Sequence, residues 1–358
     1  MMEIPITKAA AKDLKKKPAP EKELGFGKIF TDYLFLWDYE EGQGWRNPRI
    51  EPYHPLSLDP GALVLHYGQE VFEGLKAYHW PNGDIYLFRP RMNYERMNRS
   101  ARKLCLPEFD VEFALEATQQ LIRLEKDWVP SAPGTSLYIR PNVIATEPAL
   151  GVQLSKKILF YIMLGPVGAY YPQGFNPVDI YVEEKYVRAA QGGLGEAKTM
   201  ANYAASLLSF KEAHEKGYTQ VLWLDAKERK YAEEVGTSNI FFYIGDELVT
   251  PALDGTILPG VTRNSVLHIA RTWEMKVSER RISLDEVISA LDSGKLKEAF
   301  GTGTAAVISP VGKLAYRGKT YILNNGKVGD LARKLYDHIV GIQYGKIKDP
   351  YGWMIKIA

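Results

Sequence analysis

Strand and helix signals alternate along this chain from end to end, and that alternation constrains its fold more than any other feature. Switching between a period of 2 and a period of 3.6 excludes an all-helical or all-strand protein and predicts a mixed α and β chain. "AYHWPNGDIYLFRP" (77–90) reads as a hairpin about Asn82-Gly83. Tyr94, Met97, Ala101 and Leu104 follow at helical spacing, and "VEFALEATQQLIRLEKDWV" (111–129) is a second helix. "TSLYIRPNVIAT" and "KKILFYIMLG" read as strands. The apolar run "ILFYIMLGPVGAYY" (158–171) is a buried strand leading into a loop, too short and too broken by Gly and Pro to span a membrane.

A chain of 358 residues holds two domains or one large one. The Gly- and Pro-rich stretch "GPVGAYYPQGFNPV" (165–178) is the clearest boundary. Beyond it lie strand "DIYVEEKYV", a helix with Tyr203, Leu207, Phe210 and His214 on one face, and strand "TQVLWLD". A hairpin about Gly245-Asp246, a helix opening at "LPGVTRNSVLHIARTW", the segment "EAFGTGTAAVISPV" and a terminal helix near 329–342 complete the chain. The formal charge is +2, which offers no concentrated basic field for nucleic acid or a membrane surface. Cys105 is the single cysteine, so no internal disulfide forms, and its place at the end of a helical pattern predicts a small core residue. "MMEIPITKAAAKDLKKKPAP" lacks the apolar run of a secretory signal and reads as a solvated, poorly ordered arm, so a cytoplasmic protein is expected.

Common site types are missing from this pattern. The six histidines have no metal spacing, His66 and His214 read as ordinary hydrogen-bonded residues, and a lone cysteine builds no thiolate site. "GTGTAA" (301–306) lacks the ending of a Walker motif, and "GGLGEA" (192–197) lacks GxGxxG spacing. Two turns do suit an anion. "ILPGVTRNSVL" (257–267) is a Pro-Gly turn feeding an amphipathic helix whose first N–H groups lack partners, and the glycines of "GTGTAA" let backbone approach a ligand. Arg91, Arg96, Arg99 and Arg102 could add a charge-assisted clamp, and spacing alone does not choose among them. Lys198 sits among small uncharged residues in "GEAKTMANYAAS" (195–206), the company of a lysine that desolvation turns into a nucleophile towards carbonyls. Two phosphate turns and a sheltered lysine suggest pyridoxal 5′-phosphate, which also needs a carboxylate at its ring nitrogen; Glu233 and Glu234, just before an apolar strand, are the candidates.

At this point the motifs converge on a family. "EAKTMANYAAS", "EEVGTSNIFF", "ILPGVTRNSVL" and "FGTGTAA" resemble the branched-chain amino acid aminotransferases, the fold-type IV group of pyridoxal-phosphate enzymes. The resemblance continues upstream through "FGKIFTDYLFLWDY", "LHYGQEVFEGLKAYHW", "RMNYERMNRSARKLCLP", "GTSLYIRPNVIATEP" and "GPVGAYYP", covering almost the whole chain from about Phe26. It implies an α/β (α+β mixed) fold with the cofactor at the interface of two domains. Their expected limits are an arm (1–24), a smaller N-terminal α/β domain (25–165), a loop (166–178) and a larger C-terminal domain with barrel-like β-structure (179–358).

The resemblance also implies roles, carried residue by residue. Lys198 matches the catalytic lysine that condenses with the cofactor, Tyr203 the partner of its phenolic oxygen, and Glu234, rather than Glu233, the partner of its ring nitrogen. Arg96, the N–H groups of Val261 and Thr262, and Thr304 match the phosphate cup, with Thr237 beside the cofactor. Phe26, Tyr67, Phe72, Tyr138 and Tyr170 match an apolar substrate pocket, Ala305 the region near the substrate carboxylate, and Arg140 and Lys76 the rim. The implied reaction is reversible ping-pong transamination of leucine, isoleucine and valine with 2-oxoglutarate, by a homodimer or higher homo-oligomer and without a metal. D-Amino acid aminotransferases and 4-amino-4-deoxychorismate lyases share the fold and are the alternative. Mammalian members carry a Cys-x-x-Cys redox pair where this chain has Ala306 and Ser309, so thiol regulation of that kind is not expected.

Overall fold

Between Lys157 and Leu164 the buried residues are Ile158, Phe160, Ile162 and Leu164, with half-buried Leu159, Tyr161 and Met163 between them. That is the period-2 pattern of a strand with one face in a core. The computed structural model describes residues 2–19, 24–168 and 174–357, and counts below refer to these. The described residues group into two units. The first comprises Met1–Pro172, Ala197–Met200 and Gly341–Ala358, and the second Gln173–Glu196 and Ala201–Val340.

The first unit contains strands β1 (Tyr33–Glu40), β2 (Gly44–Pro52), β3 (Glu70–Phe72), β4 (Leu75–His79), β5 (Ile85–Phe88), β6 (Ser136–Ala145) and β7 (Lys157–Val167), with helices α1 (Leu63–Tyr67), α2 (Pro90–Lys103) and α3 (Val111–Leu124). The elements that follow are β8 (Val178–Glu183), α4 (Met200–Glu215), β9 (Gln220–Leu224), β10 (Ala232–Val235), β11 (Ser238–Ile244), β12 (Glu247–Thr250), α5 (Val261–Thr272), β13 (Lys276–Glu279) and α6 (Leu284–Asp292). The chain then forms β14 (Leu296–Gly303), β15 (Val307–Tyr316), β16 (Lys319–Ile322), α7 (Asp330–Gln343) and β17 (Met354–Lys356).

The first sheet runs β17-β5-β4-β6-β7-β1-β2, with β3 also on β6. Its β4–β5 hairpin turns where Asn82-Gly83 predicts, Gly83 adopting a positive φ of 89°. Helices α2 and α3 bury Tyr94, Met97 and Ala101, and Phe113, Ala117 and Leu121, into one core with Phe35, Trp37 and Phe160. In the second unit the path β10-β9-β8-β15-β14-β11 closes on itself because β10 also pairs with β11. The result is a six-stranded ring.

Register positions the turns at one end of that ring. Asn239 on β11 lies opposite Thr302 on β14, and Gly303 opposite Val307 on β15. The Thr304–Ala305 turn therefore follows the strand end that faces the start of β11.

Two local expectations are overturned. Cys105 is exposed, not core. It has a φ of 55° just past α2, and the turn it makes carries Leu106 into the core in its place. The amino-terminal segment is docked rather than loose: Ile4 is buried, Thr7 N–H donates to Ile50 O at 2.9 Å, and Lys15 Nζ donates to Thr31 O at 2.7 Å. Helix α4 buries Asn202, Ser206, Ser209 and Ala213, and on the face of Tyr203, Leu207, Phe210 and His214 it half-buries Tyr203 and Phe210 and exposes the other two. Its inner face is polar because hydrogen bonds satisfy it, Asn202 Nδ2 donating to Leu194 O at 2.8 Å and Ser209 donating to Glu183. Residues 197–200 and 341–357 join the first unit. The carboxyl-terminal part does so because β17 pairs with β5 and Arg123 Nε donates to Ile357 O at 3.1 Å.

Helix α3 starts at Asp110, whose Oδ1 accepts from Glu112 N–H and Phe113 N–H at 2.9 and 3.2 Å. Asp110→Ala should cost about 1 kcal/mol in denaturant-induced unfolding of the first unit.

Candidate active site

Lys198 is held by its backbone. Its N–H donates to Ser100 Oγ at 2.9 Å and its carbonyl accepts from Phe72 N–H at 3.0 Å. The next two residues are fastened to Glu70: Thr199 Oγ1 donates to the Glu70 carbonyl at 2.6 Å, and Met200 N–H to Glu70 Oε2 at 2.8 Å. The amine lies over the Phe72 ring, 4.8 Å from its centroid. Sequence neighbours suggested an uncharged setting, but two buried carboxylates, Glu70 and Glu73, feel the charge of Lys198. Burial pushes Glu70 up to about 7, against the opposing pull of Met200 N–H, Arg140 and Lys198.

Arg96 is buried on α2 and gives two guanidinium nitrogens to Glu73, Nε to Oε1 at 2.7 Å and Nη2 to Oε2 at 2.8 Å. Asn93 Nδ2 adds a donor to Oε2 at 2.8 Å. Burial alone would raise the Glu73 acid; the fork from Arg96, with Lys198 and Asn93, instead holds it below the usual carboxylate range. Of the four arginines that spacing left open, Arg91 pairs with Glu112 and Arg102 with Glu108, both in exposed ion pairs.

On β6 the period of 2 puts Tyr138 and Arg140 on one face, and pairing sets Lys76 of β4 opposite Tyr138. Arg140 Nη2 donates to Tyr138 Oη at 3.0 Å, and its guanidinium lies 4.8 Å from the Phe72 ring centroid. Phe26 meets Tyr138 edge-on at 5.1 Å. A Cβ on Gly74 would overlap the Tyr138 hydroxyl, so glycine is what permits this approach. Lys76 is buried, which pushes its amine down to about 8. Tyr67 stands elsewhere, exposed, with its hydroxyl donating to Leu150 O. Tyr170 lies outside the described residues.

In the second unit, Glu234 is buried and forms an ion pair with Arg188, Nε to Oε2 at 2.9 Å. Its Oε1 accepts from Leu258 N–H at 3.0 Å and Asn239 Nδ2 at 3.1 Å, and the same Asn239 amide donates to Leu258 O at 2.9 Å. The carboxylate and the turn before α5 are thereby one assembly. Val261 and Thr262 open α5, and its N-cap Gly260 supplies no side-chain oxygen to the first N–H groups. Gly260 packs so tightly on Asn239 that a Cβ there would overlap the amide oxygen. Thr237 is exposed in the β10–β11 turn, Thr304 and Ala305 are half-buried in the β14–β15 turn, and Tyr203 is half-buried on α4. Beside the β14–β15 turn the buried Thr302 hydroxyl has no hydrogen-bond partner among the described residues.

Sequence reasoning did not single out Ser100, Glu70, Glu73, Arg188 or Asn239 for these roles. Ser100, Glu70, Glu73 and Arg188 act through partners distant along the chain, which no local spacing announces, whereas Asn239 reaches both the nearby Glu234 and Leu258. Among the described residues no group of His, Cys, Asp and Glu could hold a metal ion, and no helix is long and apolar enough to cross a membrane.

A pinned lysine with buried carboxylates nearby, and a buried carboxylate tied to an uncapped helix start, define a pyridoxal-phosphate enzyme of the fold-type IV class. The chain belongs to the class IV aminotransferases, whose family model matches residues 70–314. It is 58% identical over 344 residues to branched-chain-amino-acid transaminase 1 of Bacillus subtilis (strain 168), covering 96% of each chain. Among solved structures it is similar to the branched-chain aminotransferase from Thermoproteus uzoniensis with norvaline, with 26% identity, a TM-score of 0.76, and coverage of 91% of this chain and 100% of that one. The branched-chain amino acid aminotransferase from Thermobaculum terrenum, solved in its PLP form, gives 25% identity, a TM-score of 0.73, and coverage of 90% and 98%.

The family's cofactor is pyridoxal 5′-phosphate, and the residues present fit it. The uncapped start of α5 and the unpartnered Thr302 hydroxyl suit an anion, and Glu234, met by a cation and two N–H donors, suits a protonated ring nitrogen. The Arg96–Glu73 pair supports the first half of this arrangement. Glu73→Gln, which leaves a buried guanidinium without its counter-ion, should destabilise the protein by about 3–5 kcal/mol in denaturant titration. Because the folded carboxyl is held below its unfolded value, its contribution is present above the unfolded value and lost as pH falls through the folded one. The gap between wild type and Glu73→Gln should therefore narrow in acid.

Proposed function

We propose that this enzyme transaminates leucine, isoleucine and valine reversibly with 2-oxoglutarate, releasing branched-chain 2-oxo acids and glutamate. The observation that carries the reading is the grouping of Phe26, Phe72 and Tyr138 with Arg140 beside the Lys198 amine. Aromatic walls take a branched aliphatic side chain by shape, and a guanidinium takes the second carboxylate of glutamate. The names of the relatives point to the same substrates.

When bound, the cofactor supplies an aldehyde and a protonated ring that draws electrons from the substrate's Cα–H bond. Lys198 is the residue that would hold the cofactor through its aldehyde, and its Nζ, freed when substrate binds, would be the group that takes and returns the substrate's Cα proton. The backbone bonds to Ser100 and Phe72 hold this amine on station while the side chain moves. Glu234 keeps the ring nitrogen protonated, Tyr203 donates to the phenolic oxygen, and Thr237 stands beside the cofactor. Arg96, the N–H groups of Val261 and Thr262, and the Thr304 hydroxyl hold the phosphate. Ala305 lies by the substrate carboxylate, Tyr170 completes the pocket, and Tyr67, exposed here, reaches the pocket of a partner subunit.

The reading extends to a cytoplasmic homodimer or higher homo-oligomer, with 25–165 and 179–358 as its evolutionary domains. Exposed Leu65, Tyr67, Leu150, Val152 and Leu154 of the first unit support association, which light scattering measures.

Lys198→Ala should bring turnover to background and remove the borohydride-sensitive visible band of the yellow holoprotein, since positioned acid–base groups alone contribute about 10²–10⁴-fold. Near-native turnover of that variant would overturn the assignment. Arg140→Ala should raise KM for 2-oxoglutarate roughly tenfold or more, the worth of a charge-assisted hydrogen bond, while the KM for leucine changes little. An unchanged KM for 2-oxoglutarate would remove Arg140 from the role. Activity with L-leucine but not with D-alanine or aminodeoxychorismate separates this reaction from those of the fold's other enzymes.

A further inference from the structure

Glu233 and Glu234 are consecutive on β10, and both are buried. On an extended strand they point to opposite faces, so their hydrogen-bond partners differ. Glu234 has Arg188, Asn239 and Leu258. Glu233 has a single hydrogen bond, with its Oε1 at 2.6 Å from Thr256 Oγ1, and its buried Oε2 has no partner among the described residues. Thr256 Oγ1 is also 2.9 Å from Asp254 Oδ1.

A threonine hydroxyl carries one hydrogen. Two carboxyl oxygens at hydrogen-bond distance from one hydroxyl oxygen therefore require a second proton, carried by one of the carboxyl groups. Asp254 is exposed, and water hydrates its charge. Glu233 is not, and an ionised Glu233 would leave Oε2 as a buried anionic oxygen without a donor, a costly state.

We propose that Glu233 holds a proton on Oε1 and donates it to Thr256, which donates its own to Asp254, so that Glu234 is the sole ionised carboxylate of the pair. The charged groups around Glu233 are Arg188, Glu234 and Asp254. Burial pushes its acid up to about 7, with Thr256 and Arg188 opposing and Asp254 and Glu234 adding to the rise. The same arginine builds the relay: Arg188 Nη2 donates to the Gly195 carbonyl at 2.8 Å and to the Thr256 carbonyl, so the residue that balances Glu234 also fixes the hydroxyl that takes the Glu233 proton.

The consequence for catalysis rests on the reading of Glu234 as the ring-nitrogen partner; the proton on Glu233 does not. Given that reading, Glu233 is a positioning residue. Kept neutral, it leaves Glu234 as the one negative charge of this strand at the ring-nitrogen site, whereas its ionisation would add a second negative charge.

The test compares melting midpoints of the cofactor-loaded wild type and Glu233→Gln between about pH 5.5 and about pH 8.5. An acid whose folded value is raised contributes stability below its unfolded value and loses it as pH rises through the folded one, here about 7. Wild type should therefore fall relative to Glu233→Gln by about 2 °C or more across that range. A pH-independent difference, or a wild type that gains on the variant as pH rises, overturns the proposal. Glu233→Ala, equally unable to ionise, should give the same pH-dependent fall, so the test survives if glutamine disturbs the packing. Cofactor affinity separates the two readings. At about pH 6.5 Glu233→Gln should bind pyridoxal 5′-phosphate within about twofold of wild type, and Glu234→Gln at least about tenfold more weakly, the loss of one charge-assisted bond. Tenfold weaker binding by Glu233→Gln would overturn the neutral Glu233. Unchanged binding by Glu234→Gln would instead overturn its role as ring-nitrogen partner, with the Glu233 proton still decided by the melting curves.

Discussion

Everything proposed for the first half of this site depends on the backbone fastening of residues 198–200. A lysine amine on a flexible stem is useful as a nucleophile and proton carrier only if its Cα stays still. Here the N–H and the carbonyl of Lys198 are both taken, by Ser100 and by Phe72, and Glu70 holds the two residues that follow. Four hydrogen bonds thus tie a short segment to the unit that also carries Arg96, Tyr138 and Arg140. The freedom left to the lysine is in its side chain, where the chemistry needs it.

The second unit solves a different problem, which is to bury one carboxylate with its partners and place it beside the uncapped start of α5. Asn239 does both: its amide donates to Glu234 and to Leu258 O, while Leu258 N–H returns to Glu234. Because Asn239 begins β11 and pairs in register with Thr302, closure of the strand ring sets the β14–β15 turn at the same end. Backbone geometry that serves as barrel architecture elsewhere in the unit is here a means of bringing two turns and a carboxylate together. Burial makes that carboxylate expensive unless paired, and Arg188 supplies the pair.

Much of the fold was legible along the chain. The β4–β5 and β11–β12 hairpins sit at Asn82-Gly83 and Gly245-Asp246, and α2, α3 and α5 follow the helical spacing of their apolar residues. Reading failed where a long-range partner decided the outcome. The spacing along helix α4 does not announce that it buries Asn202 and Ser209, whose polar atoms are met by Leu194 and Glu183. Cys105 was expected inside, but a left-handed turn after α2 spends the core position on Leu106. The amino-terminal lysines looked solvated, and Lys15 instead finds carbonyls of Phe30 and Thr31.

By itself, the sequence determined the mixed class of the fold, the motifs of an aminotransferase, and which lysine and which pair of glutamates to look at. These are properties of short segments, and short segments carry their own periodicity and turn chemistry. Only the tertiary structure decided which arginine is forked on a buried glutamate, what stands near Lys198, and how Glu233 differs from its neighbour Glu234. Those are matters of burial and of partners far along the chain, and the charge that a buried group can hold is set by both.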